Sequence, residues 1–273
     1  FTNVLKHLNH GLFIDMIKEL YSDNKPNQFD DKINVEQSNN MKRLVAMNNT
    51  VLKDYKRVTP NDGIYSEYLA KRGFTQYDMQ RFYAIPSIKD LVSKLDNFKD
   101  SETKFTDDSA IGIPYWNGDV LAYIQVRRFS DTGMRYITFE VNGGHKIFGL
   151  NDIDTNARVS LLEGAFDSVF VNNSVANAGA QDTSNKRYLS TICNAGLRFI
   201  YDKDYQYNKD IMRLMNTSIN EGHEVVVYDR WFKWKDMNEA ILSGVTREEL
   251  NDYLDARTFK GLSAKLQLSK LAK

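Results

Sequence analysis

Apolar residues at Val4, Leu5, Leu8, Leu12, Phe13, Met16, Ile17 and Leu20 recur at helical spacing and predict a helix over residues 3–20. From Ser22 to Asn40 the chain is aperiodic and rich in Asn and Asp, the pattern of a linker. Short helices follow, one of them from Asp62 to about Lys71, stopped by Gly73. Near Ala110 the period shortens. Ala110–Tyr115 and Val120–Phe129 are rich in β-formers and flank Trp116-Asn117-Gly118-Asp119, a hairpin signal. Met134–Val141 reads as the next strand of a small antiparallel unit.

The pattern changes again at Arg158. Short apolar runs at Val159–Leu162, Val175–Ala178, Leu197–Tyr201 and Glu224–Tyr228 predict strands. Between them lie helical stretches from Gly164 to about Val171, over Lys186–Cys193 and over Asp210–Asn220. Strands alternating with helices imply a parallel sheet with right-handed crossovers. Helices are expected from about Asn238 to Leu271. The fold class is therefore α/β: an α+β N-terminal subdomain, a parallel sheet with flanking helices, and C-terminal helices. The expected division is 1–57 (helical and linker), 58–157 (basic subdomain), 158–235 (parallel sheet) and 236–273 (C-terminal helices).

Composition narrows the picture only slightly. The 36 basic and 36 acidic side chains balance, so nucleic-acid contact must come from local patches. No apolar run is long enough to span a membrane and there is no signal peptide, so a cytoplasmic protein is expected. Cys193 is the sole cysteine, which excludes an internal disulfide and a multi-cysteine zinc site in this sequence. The sequence opens on Phe1 without an initiator Met, and removal of an upstream segment is expected.

The chemistry lies in acidic residues placed after strands. Ligands of open parallel sheets collect outside the carboxyl ends of the strands. Glu163 follows the first strand directly, with Gly164 behind it leaving room for close backbone approach; Asp202 and Asp204 follow the third. If those strands are neighbours, carboxylates converge, and two of them about 4 Å apart repel by roughly 4 kcal/mol at an effective dielectric near 20. Such a cluster needs cations, and oxygen-only ligands favour Mg²⁺ or Mn²⁺, the equipment of phosphoryl or nucleotidyl transfer. The blander alternative is a set of loop or cap carboxylates. A calcium loop opening at Asp202 is excluded, because Tyr207 stands where that loop needs Gly and Arg213 where it needs Glu.

Glu163-Gly164 with Asp167, followed by Asp202-x-Asp204, resembles the Toprim signature of bacterial-type primases, type IA and II topoisomerases and some nucleases. The flanking Leu161-Leu162-Glu163-Gly164-Ala165-Phe166-Asp167-Ser168, Lys235-Asp236-Met237-Asn238-Glu239 and Thr258-Phe259-Lys260-Gly261-Leu262 resemble T-even-type bacteriophage primases, members of the DnaG-type family. Ile124-Gln125-Val126-Arg127 and Arg135-Tyr136-Ile137-Thr138 resemble the basic subdomain that precedes Toprim in primases. The resemblance implies an enzyme that makes short RNA primers from ribonucleoside triphosphates on single-stranded DNA. It also implies coupling to a hexameric replicative helicase, with single-stranded DNA-binding protein as a further partner, in the host cytoplasm if phage-encoded. Glu163, Asp202 and Asp204 would be catalytic metal ligands, with Glu163 also the base towards the attacking 3′-hydroxyl. Asp236 would contribute a further ligand or else cap the helix starting near Asn238. Gly164, Asp167 and Asn238 would support the site. Family members carry a cysteine-rich zinc ribbon, which this sequence lacks, so zinc is expected only if a ribbon belongs to a full-length protein.

Cationic side chains must meet the phosphate charge that metal does not. Arg127, Arg135, Lys146 and Lys235 are the candidates, with Arg127 and Arg128 on opposite strand faces. Tyr136 is the favoured base-stacking aromatic, with Tyr115 and Trp116 behind it; core positions are the alternative for each. The tail from Arg257 to Lys273 has five basic residues and no acidic one, and reads as a helix with a solvated basic face or as a dock for DNA or helicase. The rival readings are a nuclease or topoisomerase fragment and a non-catalytic Toprim adaptor; no GxxxxGK[ST] motif supports an attached ATPase.

Overall fold

The computed structural model describes residues 51–98, 101, 104–130, 133–178, 183–203 and 208–271. The expected helix over 3–20, the linker after it and Asp204 lie outside these residues.

Helix α1 (Ile64–Ala70) and the short α2 (Gln76–Met79) lead into β1 (Tyr83–Ile85), α3 (Ile88–Ser93), β2 (Ala110–Asn117), β3 (Val120–Arg128) and β4 (Tyr136–Glu140). The four strands form an antiparallel sheet in the order β1-β2-β3-β4, with the hairpin turn at Gly118-Asp119 as the sequence predicts. β5 (Ile147–Phe148) then crosses to a second sheet made with β6 (Val159–Leu162), β7 (Ser174–Asn177), β8 (Leu197–Phe199), β9 (Glu224–Val226) and β10 (Thr258–Lys260). Its order is β10-β9-β8-β6-β7-β5; β6 to β9 run parallel and the two edge strands antiparallel. Helices α4 (Ala165–Ser168), α5 (Thr183–Ile192) and α6 (Lys209–Asn220) connect the parallel strands. Helices α7 (Met237–Leu242), α8 (Arg247–Ala256) and α9 (Gly261–Leu271) complete the chain.

From β6 the chain builds first towards β7 and then returns to the other side of β6 with β8. The strand order therefore reverses at β6, and the crevice between β6 and β8 is the topological switch point of the sheet. Glu163 and Asp202 follow these two strands.

Three sequence expectations need correction. The helix expected from Gly164 to about Val171 ends at Ser168. Val169, Phe170 and Val171 are all buried, so no single helical face could serve them, and they turn inward instead. The uniformly helical tail is broken by β10, which gains a ladder with β9 that local sequence does not announce. Tyr115 is fully buried between the sheets, its hydroxyl 3.3 Å from Gln125 Oε1 and its ring edge-on to Phe148, which removes it from base stacking. The last helix takes the solvated form: Ala264 and Leu268 face the core while Lys265 and Lys270 are exposed.

One apolar core joins the sheets. Phe74, Phe82, Phe148, Phe166 and Phe170 touch in a chain of ring contacts, from Phe82 stacked on Phe148 at 5.9 Å to Phe74 stacked on Phe170 at 5.0 Å. A half-buried ion pair adds to the joint: the buried Asp78, at the capping box of α2, accepts from both Nη groups of the partly exposed Arg247, whose guanidinium lies over Phe170.

Candidate active site

β6 ends at Leu162, so Glu163 and Gly164 emerge at the carboxyl edge of the sheet. Phe199 of β8 pairs with Leu161, and the Ile200 N–H donates to the Leu161 carbonyl at 3.0 Å, which brings Asp202 to the same edge. The required neighbour relation between the two strands is therefore met. Gly164 caps α4, and a Cβ there would lie 3.0 Å from Asp167 Oδ2, so the glycine leaves space for that carboxylate.

Asp167 is the electrostatic centre of the cluster. Burial and then the carboxylate of Asp236 push its pKa up from 3.8; the Asn238 N–H opposes the rise, Asp202 adds to it and Arg72 opposes it, leaving it at about 7. The Asn238 amide donates to Asp167 Oδ1 at 2.9 Å. Asp236 is the N-cap of α7, its Oδ1 accepting from the Glu239 N–H at 2.8 Å, so its capping role is realised beside the acids. Asp167, Asp202 and Asp236 thus interact in one place, next to the strand end that carries Glu163. Among the described residues no three His, Cys, Asp or Glu side chains are arranged to hold an ion by themselves, and Asp204 lies outside those residues.

Asn238 is buried and held at both ends of its amide: Nδ2 donates to the Arg72 carbonyl and Oδ1 accepts from Arg72 Nη1 at 3.2 Å. Arg72 also donates to the Tyr68 hydroxyl at 2.9 Å and lies over the Phe166 ring at 5.2 Å. Gly73, next in sequence, has φ +78, and a Cβ there would meet Ile241 Cγ2 at 2.9 Å. Only glycine allows α1 to end this close to α7. Arg72 and Tyr68 were not legible as site residues, since Asn238 is 166 residues away from Arg72 and no local pattern marks the pair.

The basic candidates divide. Arg127 is not a solvated strand arginine but is 6% exposed, its guanidinium 5.6 Å from the Tyr68 ring and 5.3 Å from the Tyr136 ring. Nη1 donates to the Arg128 carbonyl, while Nε is buried with no hydrogen-bond partner among the described residues. Arg128 points the other way, to Asp108. Tyr136 is half-exposed beside Phe166 and Arg127, and burial raises its phenol pKa. Arg135 is exposed before β4. Lys235 is exposed beside Asp236, its N–H donating to Glu239 Oε2 at 2.6 Å. Lys146 precedes β5, two strands away from β6, where its carbonyl accepts from Asn185 Nδ2.

A pH dependence follows from Asp167. Its folded-state pKa is raised, so over the window from 3.8 to about 7 the folded protein holds a proton that the unfolded chain has released. The stability this contributes is full below about pH 4 and is lost as pH rises towards 7. In metal-free protein, Asp167→Asn should gain on wild type by on the order of a few kcal/mol between pH 4 and 7 in urea unfolding. A difference that does not change with pH would show that Asp167 is ionised throughout.

No family model matches the chain. It is 31% identical over 148 residues to the DNA primase of Enterobacteria phage T4, a match covering 52% of this chain and 41% of that protein. The chain therefore spans less than half of that relative. The DnaG catalytic core superimposes with a TM-score of 0.62 at 17% identity, covering 83% of each chain. The fold is that of a DnaG primase catalytic core. The Aquifex aeolicus primase (zinc-binding and RNA polymerase domains) matches this DnaG-type fold at TM-score 0.60 and 19% identity, over 84% of this chain and 65% of that one. The RNA polymerase domain of Mycobacterium tuberculosis primase DnaG, solved with double-stranded DNA, gives 0.56 and 18%, over 80% and 81%. The resemblance read from the sequence thus holds at the level of the DnaG fold and in similarity to the T4 primase. No helix among the described residues is long and apolar enough to cross a membrane.

Proposed function

We propose that this chain is the catalytic part of a DNA primase, joining ribonucleotides into short RNA primers on a single-stranded DNA template. What supports this reading is that Glu163 and Asp202 follow the neighbouring strands β6 and β8 at the switch point of a DnaG-type sheet, with the charges of Asp202 and Asp236 acting on Asp167. The charge that Asp236 and Asp202 place on the buried Asp167 is relieved by a divalent cation, and the oxygen-only chemistry of these carboxylates fits Mg²⁺ or Mn²⁺. Glu163, Asp202, Asp204 and Asp236 would hold the metal, which when bound neutralises charge developing on the phosphates. Glu163 accepts the proton of the attacking 3′-hydroxyl, and Asp167, fixed by Asn238, orients its neighbours.

Arg127, Arg135, Lys146 and Lys235 are assigned to phosphate and template, and Tyr136 to a base. We read residues 58–157 as the basic subdomain, 158–235 as Toprim and 236–273 as the C-terminal helical part. A hexameric helicase, single-stranded DNA-binding protein and a cytoplasmic setting complete the proposal. The test is synthesis of labelled primers on single-stranded DNA with ribonucleotides and either metal; if none form even when helicase and a zinc ribbon are supplied, the reading fails. Arg127 gives a narrower test. Arg127→Ala should raise the ribonucleotide KM or weaken template binding by roughly tenfold, the worth of one charge-assisted contact. Unchanged values for both would remove Arg127 from the site.

A further inference from the structure

The loop from Asp229 to Lys235, which joins β9 to α7, carries chemistry that the acidic cluster does not use. Its sequence is Asp-Arg-Trp-Phe-Lys-Trp-Lys. Phe232 anchors it from below, fully buried and stacked on Tyr228 at 4.5 Å and on Tyr253 at 5.3 Å, with Trp234 edge-on at 5.2 Å. Lys203, next to Asp202, holds the loop from the side: its Nζ donates to the Phe232 carbonyl and its backbone N–H to the Lys235 carbonyl. Asp229 Oδ1 accepts from the Trp231 N–H at 3.0 Å and from the Tyr253 hydroxyl at 3.3 Å. The backbone is thus fixed beside the candidate metal ligands.

Above this anchor, Trp231 is 66% exposed, with the Arg230 guanidinium 5.3 Å from its ring. Arg230, Lys233 and Lys235 are exposed as well. We propose that Trp231 is a stacking platform for an unpaired base of the single-stranded DNA template, with Arg230, Lys233 and Lys235 meeting the phosphates around it. A solvent-facing indole contributes little to folding, yet this one sits on a loop whose order is already secured, so a ligand that stacks on it has little ordering left to do. The ring's surroundings select the ligand. A protein segment docking on an exposed aromatic needs an apolar surround, whereas the Arg230 guanidinium lies over this one and the exposed Lys233 and Lys235 follow in the same loop. A free nucleotide concentrates its charge in one triphosphate, while single charges spaced along a loop suit a strand with one charge per nucleotide. The template is also the strand present before any primer exists. That last step rests on the primase reading; the stacking itself does not.

The experiment is equilibrium anisotropy with a labelled oligodeoxynucleotide of about 12 nucleotides, in EDTA and without ribonucleotides, a length within the usual single-strand site sizes. Trp231→Ala should bind roughly tenfold more weakly and Trp231→Phe within about threefold of wild type, in line with the worth of one stacked base. Lys233→Ala and Lys235→Ala should each lower the salt slope by about one. A single abasic position moved along the oligonucleotide should weaken wild type at one register and leave Trp231→Ala indifferent. Equal affinities for wild type and Trp231→Ala would overturn the proposal and turn the loop towards a protein partner. Because binding is read without synthesis, a Trp231 effect in a chain that makes no primers would sink the primase reading and leave the platform standing. Normal primers with no Trp231 effect on binding would do the reverse.

Discussion

Glu163→Gln and Asp202→Asn are each expected to lower primer synthesis by roughly three orders of magnitude, the scale on which loss of a charge-stabilising group at a phosphoryl-transfer centre is felt. Both substitutions keep volume and remove charge. Glu163 and Asp202 stand at strand ends, outside the β6 and β8 ladders, so the sheet does not depend on their ionised form. Removing the Asp202 charge also eases the repulsion that raises the pKa of Asp167. The unfolding midpoint should therefore stay level or rise slightly, while product formation collapses. Binding of single-stranded DNA without metal should be unaffected, which separates loss of chemistry from loss of substrate. A variant that synthesises primers at the normal rate would remove its residue from the site.

What the sequence revealed and what it hid divide along the range of the interactions. β6 and β8 were readable because each is a short apolar run bounded by polar or glycine residues, a signal written in adjacent positions. The hairpin at Gly118-Asp119 was readable for the same reason. From those strands, topology placed Glu163 and Asp202 at one edge. The residues that support the acids were hidden, because Arg72 meets Asn238, and Asp78 meets Arg247, across more than half the described chain. β10 escaped notice because its ladder with β9 overrides the helical spacing of the tail. Arg127 was legible as a phosphate or template candidate, but its burial against the rings of Tyr68 and Tyr136 was not, since those contacts are made between separate elements. Asp236 was open between cap and ligand; the cap is formed, and a carboxylate has a second oxygen to offer a cation.

The second large effect is expected at Phe166. Its ring is 5.3 Å from Phe74 and 5.2 Å from Phe82, both edge-on, and 6.4 Å from Tyr68 and Tyr136, with the Arg72 guanidinium over it. Phe166 joins the aromatic core of Phe74 and Phe82 to the layer of Tyr68, Tyr136 and Arg127. Phe166→Ala would leave a cavity among large rings that cannot close over it, and should cost about 4 kcal/mol in equilibrium urea unfolding, within the range for buried Phe truncation. Phe166→Leu, which keeps much of the volume, should lose less than half as much. Phe166 also lies three residues after Glu163, so its truncation loosens the wall that Arg72 and Tyr136 press against. Primer synthesis should then fall further than the unfolded fraction accounts for, even under conditions where the variant remains folded. A stability loss below about 1 kcal/mol would mean that the neighbouring rings collapse into the space, and the joint between the two sheets would have to be sought in Phe74 and Phe170.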